Sequence, residues 1–265
     1  MIKEKYMRTA LIGYTGFVGT NLNQQYNFSD LYNSKNSHEM KGQKFDLVVC
    51  AGVSAVKWIA NKEPQKDLER IEAFEDILST ITVKQFVLIS TIDVYADTKY
   101  LDEDFDCSNI SNHPYGTHRL DFEKFCSNKF ENCIIIRLPA LFGDGLKKNV
   151  IYDLLNDNYL EMINVKSSYQ YYYLKYLWKD IQIALDNNIK LINLFSEPIS
   201  THEILSKFFS NKNVGGKAVP KGHYNLHTKH AKIWGKSGDY IYTKDEMIQQ
   251  LSDFIEAYRK KEVNS

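Results

Sequence analysis

Three glycines spaced three residues apart, Gly13, Gly16 and Gly19, stand directly behind the short apolar run Ala10 to Ile12. Phe17, Val18 and Leu22 can then line one face of a helix. A strand, a tight turn and a helix N-terminus in that order leave backbone N–H groups free to receive a pyrophosphate. In such a turn Gly13 permits the bend, Gly16 lets a phosphate approach the main chain, and Gly19 lets the helix lie close to its strand. The spacing is GxxGxxG, not the GxGxxG of the simpler dehydrogenases. Its place on the first strand favours a dinucleotide site over an ordinary glycine turn.

The chain behind this turn alternates strand and helix. A helix from Phe17 to about Gln25 leads to a short strand at Leu31 and Tyr32, followed by Asn33, Ser34, Lys35 and Asn36. An adenosine ribose is read at this point in dinucleotide folds, and an acidic residue there would accept its hydroxyls. None is present. Lys35 can instead face a 2′-phosphate, which favours NADP(H) over NAD, or it can be a solvated loop lysine. Phe45 to Cys50 reads as a buried parallel strand followed by the small residues Ala51 and Gly52. Leu68, Ile71, Phe74, Ile77 and Leu78 predict a crossover helix from Gln65 to about Thr80. A strand at Phe86 to Ser90, a helix at Tyr115 to Phe130 and a strand at Ile134 to Leu138 complete the pattern. This alternation predicts an α/β fold with a doubly wound parallel sheet, Rossmann-like, and a small, partly interleaved C-terminal lobe. The expected division is residues 1–145 for the dinucleotide-binding region and 146–265 for a mixed region that completes the sheet and forms the lobe.

The last third is less regular. A helix over Val150 to Leu155, a strand over Tyr169 to Tyr173, a helix from Leu174 to Leu185 and a strand from Lys190 to Phe195 are expected. A helix beginning at Pro198 or Thr201 and running through Phe209 follows. A polar linker over Asn211 to Gly222 then precedes a final amphipathic helix from Lys244 to Tyr258.

Thirty-three basic and thirty-three acidic residues argue against a general nucleic-acid surface. The four cysteines, Cys50, Cys107, Cys126 and Cys133, have no metal-ligand spacing, and reduced thiols in a cytoplasmic protein are expected. The segment MIKEKYMR leads straight into the first strand, so no secretory leader is expected, and no apolar run reaches membrane-spanning length. His227 and His230 can share a helix face, but they lack the acidic or cysteine partners of a metal site. Eighteen tyrosines and fourteen phenylalanines suit subunit contacts, a ring-shaped ligand or an ordinary core.

Tyrosine is a poor acid or base near neutrality, because its reference pKa is about 10. A nearby cation lowers that value and a neighbouring hydroxyl can share the proton. Tyr115 has Arg119 one helical turn on, and Thr91 ends a strand that can converge on the same cleft.

With these residues in view, the sequence resembles the extended short-chain dehydrogenase/reductase family, which includes NAD-dependent sugar epimerases and dehydratases. GYTGFVG at 13–19, DLVVCAG at 46–52, LISTIDVY at 88–95, HPYGTHR at 113–119 and IIRLPALFG at 135–143 carry the resemblance, and NLFSEPIST at 193–201 extends it less specifically. The resemblance implies that Gly13, Thr15, Gly16, Phe17, Val18 and Gly19 wrap the cofactor pyrophosphate. Asn33, Ser34 and Lys35 would read the ribose. Cys50, Ala51, Gly52, Ile89, Ser90, Leu138 and Pro139 would lie along the rest of the nicotinamide cofactor. It further implies Tyr115 as proton donor or acceptor, Thr91 as its hydroxyl partner and Arg119 beside both. Val53, Asp93, His113, Phe142 and Asn149 would touch a nucleotide-linked or otherwise activated sugar, and Asn149 has a competing reading as a helix cap. Lys147 and Lys148 could neutralise a nucleotide-sugar phosphate, or be solvated. A homodimer through a four-helix bundle and a place in surface-polysaccharide or secondary sugar metabolism are implied in the same way.

Three departures qualify these implications. The family's lysine is Arg119, so either the cofactor sits differently or catalysis is weakened. The segment before Asp46 is too short for the extra strand and helix of many members, as in the shorter sugar 4-keto reductases. Ile71 falls where an asparagine is usual. The reading from another class is a catalytically weak NAD(P)-binding sensor or protein-interaction module.

Overall fold

The structure is a computed structural model, and it describes residues 8–263. Most of MIKEKYMR therefore lies outside the described residues. In chain order the elements are β1 (Thr9–Ile12), α1 (Phe17–Gln25), β2 (Asp30–Tyr32), β3 (Lys44–Cys50), α2 (Lys57–Lys62) and α3 (Pro64–Ser79). Next come β4 (Thr82–Thr91), α4 (Pro114–Lys129), β5 (Cys133–Leu138), β6 (Ala140–Phe142) and α5 (Val150–Leu155). The chain continues through β7 (Ser168–Tyr169), β8 (Tyr171–Tyr173), α6 (Leu177–Asp186) and β9 (Leu191–Asn193). It closes with β10 (Ile199–Ser200), α7 (Thr201–Phe208) and α8 (Lys244–Val263).

Two compact units share the chain. The first holds the described residues up to Asp97, Glu103–Leu138 and Lys175–Asn193; the second holds Thr98–Asp102, Pro139–Leu174 and the residues from Leu194 onward. The chain thus changes unit after residues 97, 102, 138, 174 and 193.

The first unit is a six-stranded sheet in the order β2-β1-β3-β4-β5-β9, with every neighbouring pair parallel. The chain runs outward from β1 to β2 and returns to β3 on the other side of β1. Between β1 and β3 lies the crevice where ligands bind in open α/β sheets. Among the described residues no strand lies beyond β2, in keeping with the short segment before Asp46. The strands are buried runs because helices cover the sheet. Ile71 and Leu78 of α3 and Phe122 and Cys126 of α4 enter the same core as Val48, Phe86 and Leu88. Each such apolar side chain contributes about 2 kcal/mol by leaving water.

β4 starts four residues earlier than its apolar stretch, because Thr82 to Gln85 pair with β3 while their side chains stay exposed or half-exposed. α2 has no counterpart in the sequence pattern: only Ala60 is buried along it and Trp58 is 67 % exposed, so no apolar period marks it. Pro64, at the first position of α3, starts the next helix.

In the second unit β6 pairs parallel with β8 and β10 antiparallel with β7. The single strand expected over 169–173 is interrupted at Gln170. Its buried carboxamide donates to the Ser196 and Leu226 carbonyls and accepts from Leu226 N–H. Met247, Leu251, Phe254 and Ile255 form the buried stripe of α8, which runs on to Val263. Many of the aromatics are core: Phe86 stacks on Phe130 at 4.1 Å, and Tyr171 and Tyr172 are almost wholly buried. All four cysteines are free and buried. Among the described residues no helix is long and apolar enough to cross a membrane.

Candidate active site

The glycine turn closes the end of β1. Gly13 N–H donates to the Tyr32 carbonyl at 2.7 Å, and Ala51 N–H donates to Ile12 at 2.9 Å, so the β2 and β3 ends are tied to the turn. Gly13 has φ +85°, and a Cβ there would stand 2.3 Å from the Ala51 oxygen. Only glycine satisfies both conditions. A Cβ on Gly19 would strike the Gly13 carbonyl at 2.0 Å, whereas one on Gly16 would meet only that oxygen, at 3.3 Å. Thr15 and Gly16 are exposed, and Phe17 and Val18 are half-buried. α1 begins with no side-chain cap and no acidic residue in its first turn, leaving its positive end open to an anion.

At the far end of β2, Asn33 accepts the Lys35 N–H and Asn36 accepts the Asn33 N–H, a local turn that leaves Ser34 and Lys35 exposed. Asp30, at the start of β2, is taken by a bidentate pair with Arg8.

Thr91 ends β4 opposite Leu138. The turn Ile92–Val94 follows, and the Thr91 hydroxyl accepts from Asp93 N–H. This turn is held against the start of α4 by Asn112, whose amide donates to the Asp93 and Val94 carbonyls. Gly116 is required there, since a Cβ would lie 2.3 Å from both the Asn112 amide and the Asp93 oxygen. Tyr115 N–H donates to the Asn61 side chain on α2, which ties the third element in. Tyr115 is 5 % exposed. Burial raises its pKa, Arg119 opposes that rise, Asp93 adds to it, and a hydrogen bond with Thr91 lowers it; the net direction is upward. A buried phenol under a guanidinium, on a helix start tied to the end of β4, can serve as a proton donor toward a carbonyl oxygen.

Arg119 is committed to protein groups. Its guanidinium forms a bidentate pair with Asp67 of α3, donates to the Ser54 carbonyl at 2.6 Å and lies over the Tyr115 ring at 4.2 Å. His118 Nδ1 is 2.8 Å from the same carboxylate. Burial pushes Asp67 up, but the hydrogen bonds from Arg119 and His118 prevail and hold it below the usual carboxylate range. The fork of Arg119 therefore braces α4 to α3 while its positive face rests on the tyrosine.

Several of the other expected contact residues have protein partners of their own. The Cys50 side chain belongs to the apolar core and burial pushes its thiol up to about 12. Ser90 donates to Glu123 at 2.5 Å, within a buried pair that Glu123 forms with Arg137. Val53 packs against the core of the first unit, and His113 spends Nδ1 capping α4 by accepting from Gly116 N–H. Ile89 and Leu138 are strand residues, half-buried and buried, and Pro139 is buried where the second unit begins. In the second unit Phe142 is core, stacked at 4.7 Å on Tyr173. Asn149 is the cap of α5: its oxygen accepts from Ile151 and Tyr152 N–H, and its amide donates to Leu141. Ile71 is core, and the polar groups facing α4 are Asn61 and Asp67. Apolar periodicity does not reveal them, because it does not say which polar residue of an amphipathic helix turns inward. The second unit also carries a hollow rimmed by Val150, Asp153, Tyr159 and Tyr169.

No protein-family model and no curated protein matches the chain. Solved structures do. A UDP-glucose 4-epimerase from Thermotoga maritima, determined with UDP-glucose, is 14 % identical over 96 % of this chain and 99 % of its own, with a TM-score of 0.72. A dTDP-4-dehydrorhamnose reductase from Clostridium acetobutylicum is 13 % identical over 96 % of this chain and 100 % of its own, with a TM-score of 0.69. A UDP-glucuronic acid 4-epimerase from Bacillus cereus in complex with NAD is 18 % identical over 86 % and 90 %, with a TM-score of 0.66. These likenesses establish a shared Rossmann-like fold.

Proposed function

We propose that the chain is an NAD(P)-dependent oxidoreductase or epimerase of the extended short-chain dehydrogenase/reductase kind, acting on a nucleotide-linked or activated sugar. The observation that carries this reading is that Thr91, at the end of β4, and Tyr115, at the start of α4 beneath Arg119, are tied together through Asp93 and Asn112 in the unit that also bears the open glycine turn. The cofactor would lie with its pyrophosphate on Gly13 to Gly19 and supply or accept hydride. The exposed Lys35, in a loop with no free acid, favours NADP(H). In the reductive direction Tyr115 protonates the carbonyl oxygen of the sugar and Thr91 hydrogen-bonds to it. The solved relatives bind or are named for nucleotide sugars, which supports the substrate class.

Titration with NADPH and NADH, then a screen of nucleotide 4-keto-sugars for loss of nicotinamide absorbance, tests the reading. Tyr115→Phe should lower turnover by about 10²-fold or more while retaining cofactor affinity. Unchanged turnover in that variant removes the assignment.

The commitment of Arg119 to Asp67 and Ser54 favours a second reading, a cofactor-binding sensor with little catalysis. Tight cofactor binding with neither absorbance change nor sugar product across the screen would select it.

A further inference from the structure

We propose that Lys57, acting through Asp93, sets the proton affinity of Tyr115, and so is a positioning residue for the acid/base group. Its consequence for turnover rests on the function proposed above, but its electrostatics do not.

Lys57 begins α2, just beyond the loop that follows β3. Its ammonium lies 2.7 Å from Asp93 Oδ1, and the other oxygen of that carboxylate is 3.5 Å from the Thr91 hydroxyl. α2 also holds the start of α4, through Asn61 and Tyr115 N–H. The same short helix therefore holds the tyrosine's backbone and delivers a cation to the carboxylate that faces Thr91.

Among the described residues, the charged and titratable groups around Tyr115 are two ion pairs and two histidines. On α3 and α4, Asp67 is paired with Arg119 and touched by His118. On the other side Asp93 is paired with Lys57. His113, at the start of α4, senses both members of the second pair: burial lowers its pKa, Lys57 lowers it further and Asp93 raises it. In the first pair Arg119 lies over the ring and favours the phenolate, and Asp67 opposes it more weakly. Whether the tyrosine meets a bare or a balanced carboxylate in the second pair is decided by Lys57. A bare Asp93 disfavours the phenolate, and a paired one does so much less.

Lys57 has a side chain 39 % exposed, whereas the Arg119 and Asp67 side chains are 6 % and 9 % exposed. The inner pair is a fixed brace. The outer pair is the one that a substitution can change without opening the core.

The test is an NMR titration of the ligand-free protein labelled with ¹³C at tyrosine Cζ, with the Tyr115 signal assigned by its loss in Tyr115→Phe. Lys57→Met should move the Tyr115 midpoint upward, or keep the signal protonated beyond the point where the parent titrates. Asp93→Asn should move it downward, and Lys57→Arg should leave it at the parent value. In the Asp93→Asn background, Lys57→Met should produce no further shift. A folded Lys57→Met whose Tyr115 midpoint is at or below the parent's overturns the proposal. So does an equal Lys57→Met shift with and without Asp93. Should Lys57→Met alone fail to fold, Asp93→Asn and the double variant carry the same comparison: a midpoint that does not fall in Asp93→Asn, or moves again in the double variant, overturns it. Because neither cofactor nor sugar is present, absence of turnover in the parent bears only on the proposed function.

Discussion

A lysine at position 119 would present a compact, mobile charge, whereas the arginine found there presents a planar fork that Asp67 accepts on both oxygens. The two side chains are 6 % and 9 % exposed, so removing one leaves the other charged and unpaired in the interior. Asp67→Ala should therefore cost about 3–5 kcal/mol of stability, measured by urea unfolding. A loss below about 1 kcal/mol would mean that the pair contributes no more than a surface ion pair. The folded-state pKa of Asp67 is depressed. Its stabilisation is accordingly present above the ordinary carboxylate range and is lost as pH falls through the depressed value. At the opposite end of the proposed cofactor, Lys35→Ala should weaken NADPH binding and spare NADH; equal NADPH affinity in parent and variant would remove the basis for the NADP(H) preference.

Several helices agree closely with their sequence signals. α1 and α5 have the expected limits, and α3 and α4 start one residue early at a proline. α7 begins at Thr201 because Ser200 accepts from Glu203 N–H while the Glu203 carboxylate accepts from Ser200 N–H, a reciprocal cap. Ser200→Ala should lower stability by about 1 kcal/mol in thermal or urea unfolding. Burial raises the Glu203 pKa, but hydrogen bonds from Ser200 and the Lys244 ammonium bring it down to about 2. This part of the cap's contribution should persist well below neutrality and fade as pH falls from the ordinary glutamate range toward about 2. α2 is the element that sequence reading missed, and it carries Lys57 and Asn61. Six residues with a single buried side chain have no amphipathic signature, so nothing local distinguishes this helix from a loop.

For the whole molecule, a cofactor that binds only the folded chain should raise its unfolding temperature. At a hundredfold excess over Kd the shift should be about 5 °C for a chain of this length unfolding cooperatively, read by calorimetry with and without NADPH. No shift with either nicotinamide cofactor would count against the open end of α1 as a pyrophosphate site. By itself the sequence determined the parallel sheet and the glycine turn at its centre, because each rests on local spacing: apolar runs and glycines at strand ends. The tertiary structure alone decided which polar side chains turn inward. It directed Arg119 to Asp67, Lys57 to Asp93, Asn149 to the start of α5 and Phe142 to a core. These partnerships join residues that are distant in sequence or set local polar groups against packing, and a buried charge or amide takes whichever partner the packed chain brings within hydrogen-bond reach.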